Sequence, residues 1–232
     1  MSRPIKDDHR VRVAKVRRDR MVAKLLQAVM ESYASHVLSG PPTVEEIIDQ
    51  ADVSRATFYK YFRSVDEAIE TRAGELVDEM IESLKGLVRA EMKPVLQFTV
   101  SVHLFLLRGV LDPTWGAFVA RSDLLRSDGP LISGLTMHLA ASLDDHEVSF
   151  LDPEAARTLA IGTMREAIRS IAHSDGPRRE FVEEVMTLIL IGLGLPRPVA
   201  LELVSDATIF IRGAGPDRLT WWRDPWLAAA AA

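Results

Sequence analysis

Cysteine is absent from this sequence, and that absence removes disulfides, thiolate zinc sites and a cysteine nucleophile from consideration. It fits a reducing compartment, and a cytoplasmic location is the expectation. Long uninterrupted apolar runs are missing as well. The most apolar stretch, 95–111, is broken by Gln97, His103 and Arg108; it reads as a buried helix, too short to span a bilayer, and no membrane partner is expected. The basic N-terminus lacks the apolar segment that a secretory signal carries behind its charges. No Gly-x-Ser-x-Gly elbow, phosphate-binding glycine loop or dinucleotide fingerprint occurs. His103, His138 and His173 fall on separate expected helices, and no pair has the His-x-x-x-His spacing of a metal site. Glu166 between Arg165 and Arg169 reads as a helix-surface charge cluster. No catalytic residue, metal or cofactor is therefore expected.

What is present suits a helical protein of one or two domains. The 232 residues are 47% hydrophobic and 26% charged, enough apolar material for a core. The net charge of −5 is unevenly spread: residues 1–63 hold 12 Lys/Arg against 8 Asp/Glu, and residues 64–232 hold 16 against 25. Eight of the cations lie in residues 1–20. A basic head on an acidic body has two readings, a head that meets a polyanion or a solvated N-terminal arm.

Apolar residues recur at helical spacing almost throughout, with no long period-2 alternation to compete. A first helix is predicted over about 17–38, with Met21, Leu25, Ala28, Val29 and Ser32 on one face, ended by Ser39-Gly40-Pro41-Pro42. Thr43-Val44-Glu45-Glu46 is a capping box that opens a short helix to about 51. Ser54 caps another through about 62, and Ser64-Val65-Asp66-Glu67 is a second capping box opening a longer helix to about 90. Further helices are predicted at about 95–109, 113–126, 130–142, 153–173, 178–194 and 197–211, punctuated by Asp112-Pro113, Gly129-Pro130, Asp152-Pro153, Gly176-Pro177 and Pro196-Arg197-Pro198. Asp144-Asp145-His146-Glu147 reads as an acidic loop. The tail carries Gly213, Gly215, Pro216, the Trp221-Trp222…Trp226 cluster and a closing alanine run.

Three helices in the first 63 residues, the last two very short and joined by a tight turn, make a helix-turn-helix arrangement. On the third, Phe58 and Phe62 fall within about 40° of one another at 100° per residue and serve as core anchors. Ala56, Tyr59, Lys60 and Arg63 lie opposite, a face with one small residue, one phenol and two cations that suits the major groove.

Ala51-Asp52-Val53-Ser54 followed by Thr57-Phe58-Tyr59-Lys60-Tyr61-Phe62, after Thr43-Val44 and before Ser64, resembles the DNA-binding domain of the TetR family of bacterial transcriptional regulators. The motif covers about a fifth of the chain, and helix number and total length also agree. The resemblance implies an all-α protein: an N-terminal basic arm and three-helix helix-turn-helix domain over 1–63, then a larger helical ligand-sensing and dimerisation domain over 64–232. It implies DNA contact by Arg55, Ala56, Thr57, Tyr59 and Lys60, and phosphate contact by Thr43 and by Tyr61, the latter also placed to pack inward. Arg10, Arg12, Arg17 and Arg18 add arm contacts without sequence preference. Three residues depart from the family pattern. Asp52 stands where glycine is usual, Glu45 at a position that is often basic, and Val65 where lysine is frequent; all three make the surface less attractive to DNA.

For the body, the resemblance implies a largely apolar small-molecule inducer and a four-helix homodimer interface. Phe98, His103, Phe105, Trp115, Phe118, Met137 and Met164 are the candidate pocket residues, although an apolar lining and an apolar core look alike in sequence. The pairing helices would lie within 153–173 and 178–194, the second presenting Phe181, Val185, Leu188, Ile189 and Gly192; a monomeric core is the other reading of that stripe. The expected function is a ligand-responsive regulator, by default a repressor, that binds a near-palindromic double-stranded operator. A helical interaction module without DNA binding and a helical enzyme are the alternatives.

Overall fold

The computed structural model describes residues 5–35, 40–121, 129–176 and 179–227, with side chains from Val11 onward in the first stretch. The described residues form ten α-helices and no strand. The expected ends of the first helix near 38 and of the sixth near 126, and the closing alanine run, lie outside the described residues. Two compact units divide the chain, Met1–Gly74 and Glu75–Ala232.

The first unit holds α1 (Ile5–Ser35), α2 (Val44–Gln50), α3 (Arg55–Tyr61) and the opening turns of α4 (Val65–Leu87). Leu25, Leu26, Ala28, Val29 and Met30 of α1 are buried, together with Ile47, Ala51, Phe58, Phe62 and Ala68. The face predicted for α1 is thus the packed one. The helix begins about three turns earlier than expected, because residues 11–20 are all exposed. A segment rich in Arg and Lys has good helix propensity, but a search for an apolar face passes over a stretch that buries nothing.

The second unit is built around α5 (Pro94–Leu111), which packs against α6 (Pro113–Arg121), α7 (Pro130–Asp144), α8 (Pro153–Ala172), α9 (Arg179–Gly192) and α10 (Arg197–Arg218). Proline opens four of these helices, where its missing N–H costs nothing. By length and composition α5 does reach the level of a membrane-crossing helix, contrary to the expectation that it is too short. With 72% of it buried, it is the core helix of this unit. Glu147 caps it from a distance, accepting the Val95 N–H at 2.9 Å. Glu166 is paired on the surface of α8 with Arg169, whose guanidinium holds its carboxyl below the ordinary range.

Among the helix ends that differ from expectation, two are explained by glycine. α9 stops at Gly192 rather than 194. Gly194 has φ +92°, and the Leu195 N–H reaches back to the Leu190 carbonyl at 3.2 Å, a Schellman closure. A Cβ at Gly194 would lie 2.3 Å from the Ser149 carbonyl oxygen, so the turn needs glycine twice over. α10 continues seven residues past its expected end and carries Gly213, Gly215 and Pro216 as helix. Gly215 lies against the Trp222 ring, where a Cβ would be 2.8 Å from Cδ2. Pro216, in the last turn, removes only one ladder bond.

The tail then folds over the unit it belongs to. The Trp221 indole N–H donates to Ser83 Oγ at 3.0 Å, and the Arg108 guanidinium lies 5.0 Å from the Trp221 ring. Arg108 also pairs with Glu79 at 3.1 Å and Asp112 at 3.4 Å. Trp221, given no role by sequence, fastens the second half of α4 to α5.

Candidate nucleic-acid interface

The candidate surface is assembled from short-range rules. Thr43 takes extended dihedrals (φ −82°, ψ 162°) and caps α2: its hydroxyl accepts the Glu46 N–H, and the Glu46 carboxylate accepts the Thr43 N–H at 2.7 Å. This is the capping box the sequence predicts. After α2 the chain reverses through Asp52, whose φ of +44° is left-handed, while the Val53 N–H closes onto the Ile48 carbonyl at 3.0 Å. Aspartate tolerates that conformation better than most residues, so the turn keeps its shape without glycine.

Ser54 then caps α3, accepting the Thr57 N–H at 3.2 Å. Its hydroxyl also lies 2.9 Å from the Thr57 hydroxyl, so Thr57 is engaged within the helix start. Phe58 is fully buried and Phe62 nearly so, their ring centroids 5.8 Å apart. These two rings fix the roll of the helix. With the inner face so fixed, Arg55, Ala56, Tyr59 and Lys60 are all exposed, Tyr59 at 45%. Tyr61 is half-buried between two cations, with Arg18 5.7 Å and Lys60 5.8 Å from its ring. Thr43, Arg12, Arg17 and Arg18 are exposed, and the Arg10 side chain lies outside the described residues. The second capping box is modified: Ser64 Oγ accepts the Glu67 N–H at 3.1 Å, but the Glu67 carboxylate returns to the Arg63 N–H instead of that of Ser64.

One contact escapes a reading by sequence. Arg55 forms an ion pair with Glu45, ten positions back, and its guanidinium lies 5.7 Å from the Tyr59 ring. Glu45 registers in the sequence only as an unfavourable charge, because no local spacing rule joins the start of α2 to the start of α3.

In the second unit the expected pocket residues separate. Phe98, His103, Phe105, Trp115, Phe118 and Met164 are buried in the packed interior, whereas Met137 is 63% exposed. Met137 lines a mainly apolar groove of about 350 Å³ with Ile81, Leu84, Val88, Leu135 and His138. Sequence reasoning missed this groove because its walls come from α4 and α7, far apart in the chain, and one wall is the exposed side of an otherwise ordinary helix.

Among the described residues His103 Nδ1 has no hydrogen-bond partner, and burial pushes its imidazole down from the ordinary 6.5 to about 4. Above pH 6.5 the ring is neutral folded or unfolded. Below it the unfolded chain takes up a proton that the native chain refuses, so stability is full above the unfolded value and is lost as pH falls toward 4. We expect the second unit to lose about 3 kcal/mol across that window. Urea titrations at stepped pH should show it, and His103→Gln should flatten that component.

The stripe proposed for pairing also divides. Leu188 is 51% exposed, Gly192 is exposed and Phe181 half-buried. Val185 and Ile189 are buried, so they serve the protomer's own core and are not available to a partner. Their inward turn follows from the roll of α9: the outward face runs through positions 180, 184, 188 and 192. At Gly192 a Cβ would meet Leu159 Cδ2 at 2.4 Å, so the glycine admits close approach of α8.

No family model matches the sequence, and no curated protein matches it. Among solved structures, a gamma-butyrolactone receptor described as ArpA-like matches with a TM-score of 0.62 at 14% identity, covering 86% of this chain and 100% of that one. RolR in complex with its ligand resorcinol matches with a TM-score of 0.58 at 18% identity, covering 82% and 96%; RolR without ligand matches at 0.54. The chain shares the fold of these proteins, all-helical with an N-terminal helix-turn-helix unit.

Proposed function

We propose that this chain is a cytoplasmic, ligand-responsive DNA-binding regulator, a homodimeric repressor that a small molecule releases from a near-palindromic operator. The observation that carries the reading is the outer face of α3. Phe58 and Phe62 hold Arg55, Ala56, Tyr59 and Lys60 outward on a seven-residue helix, with exposed arginines of α1 in the same unit to meet phosphates. The function is binding, not catalysis, and needs no cofactor.

Small-molecule sensing is supported by the groove walled by α4 and α7 and by structural neighbours named for small ligands. α4 contributes residues to both units, so an inducer seated in the groove presses on a helix that continues into the DNA-binding unit. Release follows only if the inducer binds one arrangement of the heads more tightly than the other. Pairing is assigned to the outward sides of α8 and α9 around Leu159, Gly162, Leu188 and Gly192, an exposed patch of leucine and glycine of a kind that a two-fold axis can pair with itself.

Anisotropy of labelled DNA from upstream of the protein's own gene, across a salt series, tests the reading. Wild-type protein is expected to prefer that sequence and to weaken steeply with salt. Tyr59→Ala with Lys60→Ala is expected to lose tenfold or more in affinity and about one phosphate contact in slope, while remaining folded. A folded wild-type dimer that binds neither this nor other candidate operators at low salt would favour an interaction module instead.

A further inference from the structure

On the outer face of the helix-turn-helix, the Arg55 side chain is held on two sides. Glu45 accepts a hydrogen bond from Arg55 Nη1, and the Tyr59 ring lies 5.7 Å from the guanidinium carbon. Glu45 and Arg55 are each 59% exposed, so the pair sits on the surface that meets DNA and is not sequestered in a core. A carboxylate there is unexpected for a surface whose task is to meet phosphates. It repels the backbone, and it neutralises the arginine best placed at the start of the reading helix.

Both effects become useful if the surface must discriminate as well as bind. Attraction to phosphate is the same at every sequence and supplies nearly all of non-specific binding. A free arginine at the start of α3 would add to it everywhere. A guanidinium has five N–H donors in a fixed fork, and one carboxylate oxygen at Nη1 leaves several of them open. An arginine held this way can still present N–H groups to the O6 and N7 acceptors of guanine in the major groove, while its charge is screened from the phosphates.

We propose that Glu45 is a positioning residue for Arg55: it withholds the arginine from phosphate, aims it at a guanine, and so raises the preference for operator over random DNA. The inference rests on the DNA-reading function proposed above and goes beyond it by assigning selectivity to an acidic residue of α2. Tyr59 is the second support, its ring limiting the swing of the guanidinium.

The test uses the full-length protein and two probes, a duplex selected by the wild-type protein from a randomised pool and the unselected pool itself. Affinities are measured by anisotropy over a salt series. Glu45→Gln keeps the size and removes the charge. It is expected to tighten binding to the unselected pool severalfold and to steepen its salt dependence by up to about 0.9, the increment for one added phosphate contact. Binding to the selected duplex is expected to change less, so the ratio of the two falls threefold or more. Glu45→Asp is expected to restore part of that ratio, and in an Arg55→Ala background Glu45→Gln is expected to leave it unchanged. Circular dichroism of each variant reports folding.

If Glu45→Gln shifts both probes by the same factor, or lowers the ratio equally without Arg55, then Glu45 is a plain repulsive charge and the positioning role is overturned. Those outcomes leave the DNA-reading function standing. A folded wild-type protein that selects no duplex overturns that function, and this inference with it.

Discussion

Phe58→Ala is expected to unfold the first unit and abolish DNA binding while the second unit stays folded. The ring is fully buried and lies against Phe62, at the point where a seven-residue helix is anchored. Removing a buried phenylalanine ring costs about 3–5 kcal/mol through lost transfer energy and the cavity left behind. A unit of this size draws little more than that from its core. α3 is also too short to persist by propensity alone, so loss of its anchor is loss of the helix. Amide exchange across residues 44–62 should rise to unfolded rates, with far-ultraviolet dichroism falling by the share of α2 and α3. The contrast with Tyr59→Ala plus Lys60→Ala is the informative part. Both variants lose binding, but only the buried substitution loses structure. A Phe58→Ala protein that kept protected amides in α3 would mean that Phe62 alone anchors the helix.

Trp115→Ala should destabilise the second unit by a similar amount, about 3–5 kcal/mol. Trp115 is wholly buried, 6.3 Å from the Phe105 ring centroid, and the Arg108 guanidinium lies 5.6 Å from its own ring. Its backbone N–H is received by Asp112 Oδ1 at 2.9 Å, which starts α6. The indole Nε1–H, by contrast, is buried without a partner among the described residues, a defect of about 1–3 kcal/mol. Trp115→Phe removes that donor and keeps an aromatic face for Arg108, so it should cost less than half as much as the alanine variant. Urea unfolding of the second unit would separate the two. Equal losses would mean that a retained benzene ring does not fill the indole's place and that removing the unpartnered donor gains nothing.

How much of this could be read in advance depends on the range of the interactions. Caps and turns involve neighbours three to five positions apart, and Thr43, Ser54 and the left-handed Asp52 were all legible. So was the division of α3 into the Phe58–Phe62 face and the Tyr59–Lys60 face, which follows from helical periodicity. The Glu45–Arg55 pair was not legible, because two helices must first be docked before those side chains meet. The body shows the same limit more sharply. A stripe such as Phe181, Val185, Leu188, Ile189 and Gly192 marks an apolar side of a helix, but it cannot separate residues spent on the protomer's own core from those left for a partner. Burial separates them, with Val185 and Ile189 on one side and Leu188 and Gly192 on the other. Likewise the aromatic residues expected around a pocket are buried, and the groove lined by Met137 takes its walls from α4 and α7. α10 was cut short because Gly215 and Pro216 are helix breakers by local rule; the contact with Trp222 that favours glycine there is a tertiary one.

The division into two units has a spectroscopic side. All three tyrosines, Tyr33, Tyr59 and Tyr61, belong to the first unit, and all four tryptophans, Trp115, Trp221, Trp222 and Trp226, belong to the second. Excitation restricted to indole therefore watches the body alone, and the phenol signal originates only in the head. Trp115 is wholly buried and Trp221 only half-buried, so their emission colours should differ. The molecule thus carries a separate built-in chromophore for each half, and the order in which the halves melt can be followed without any label.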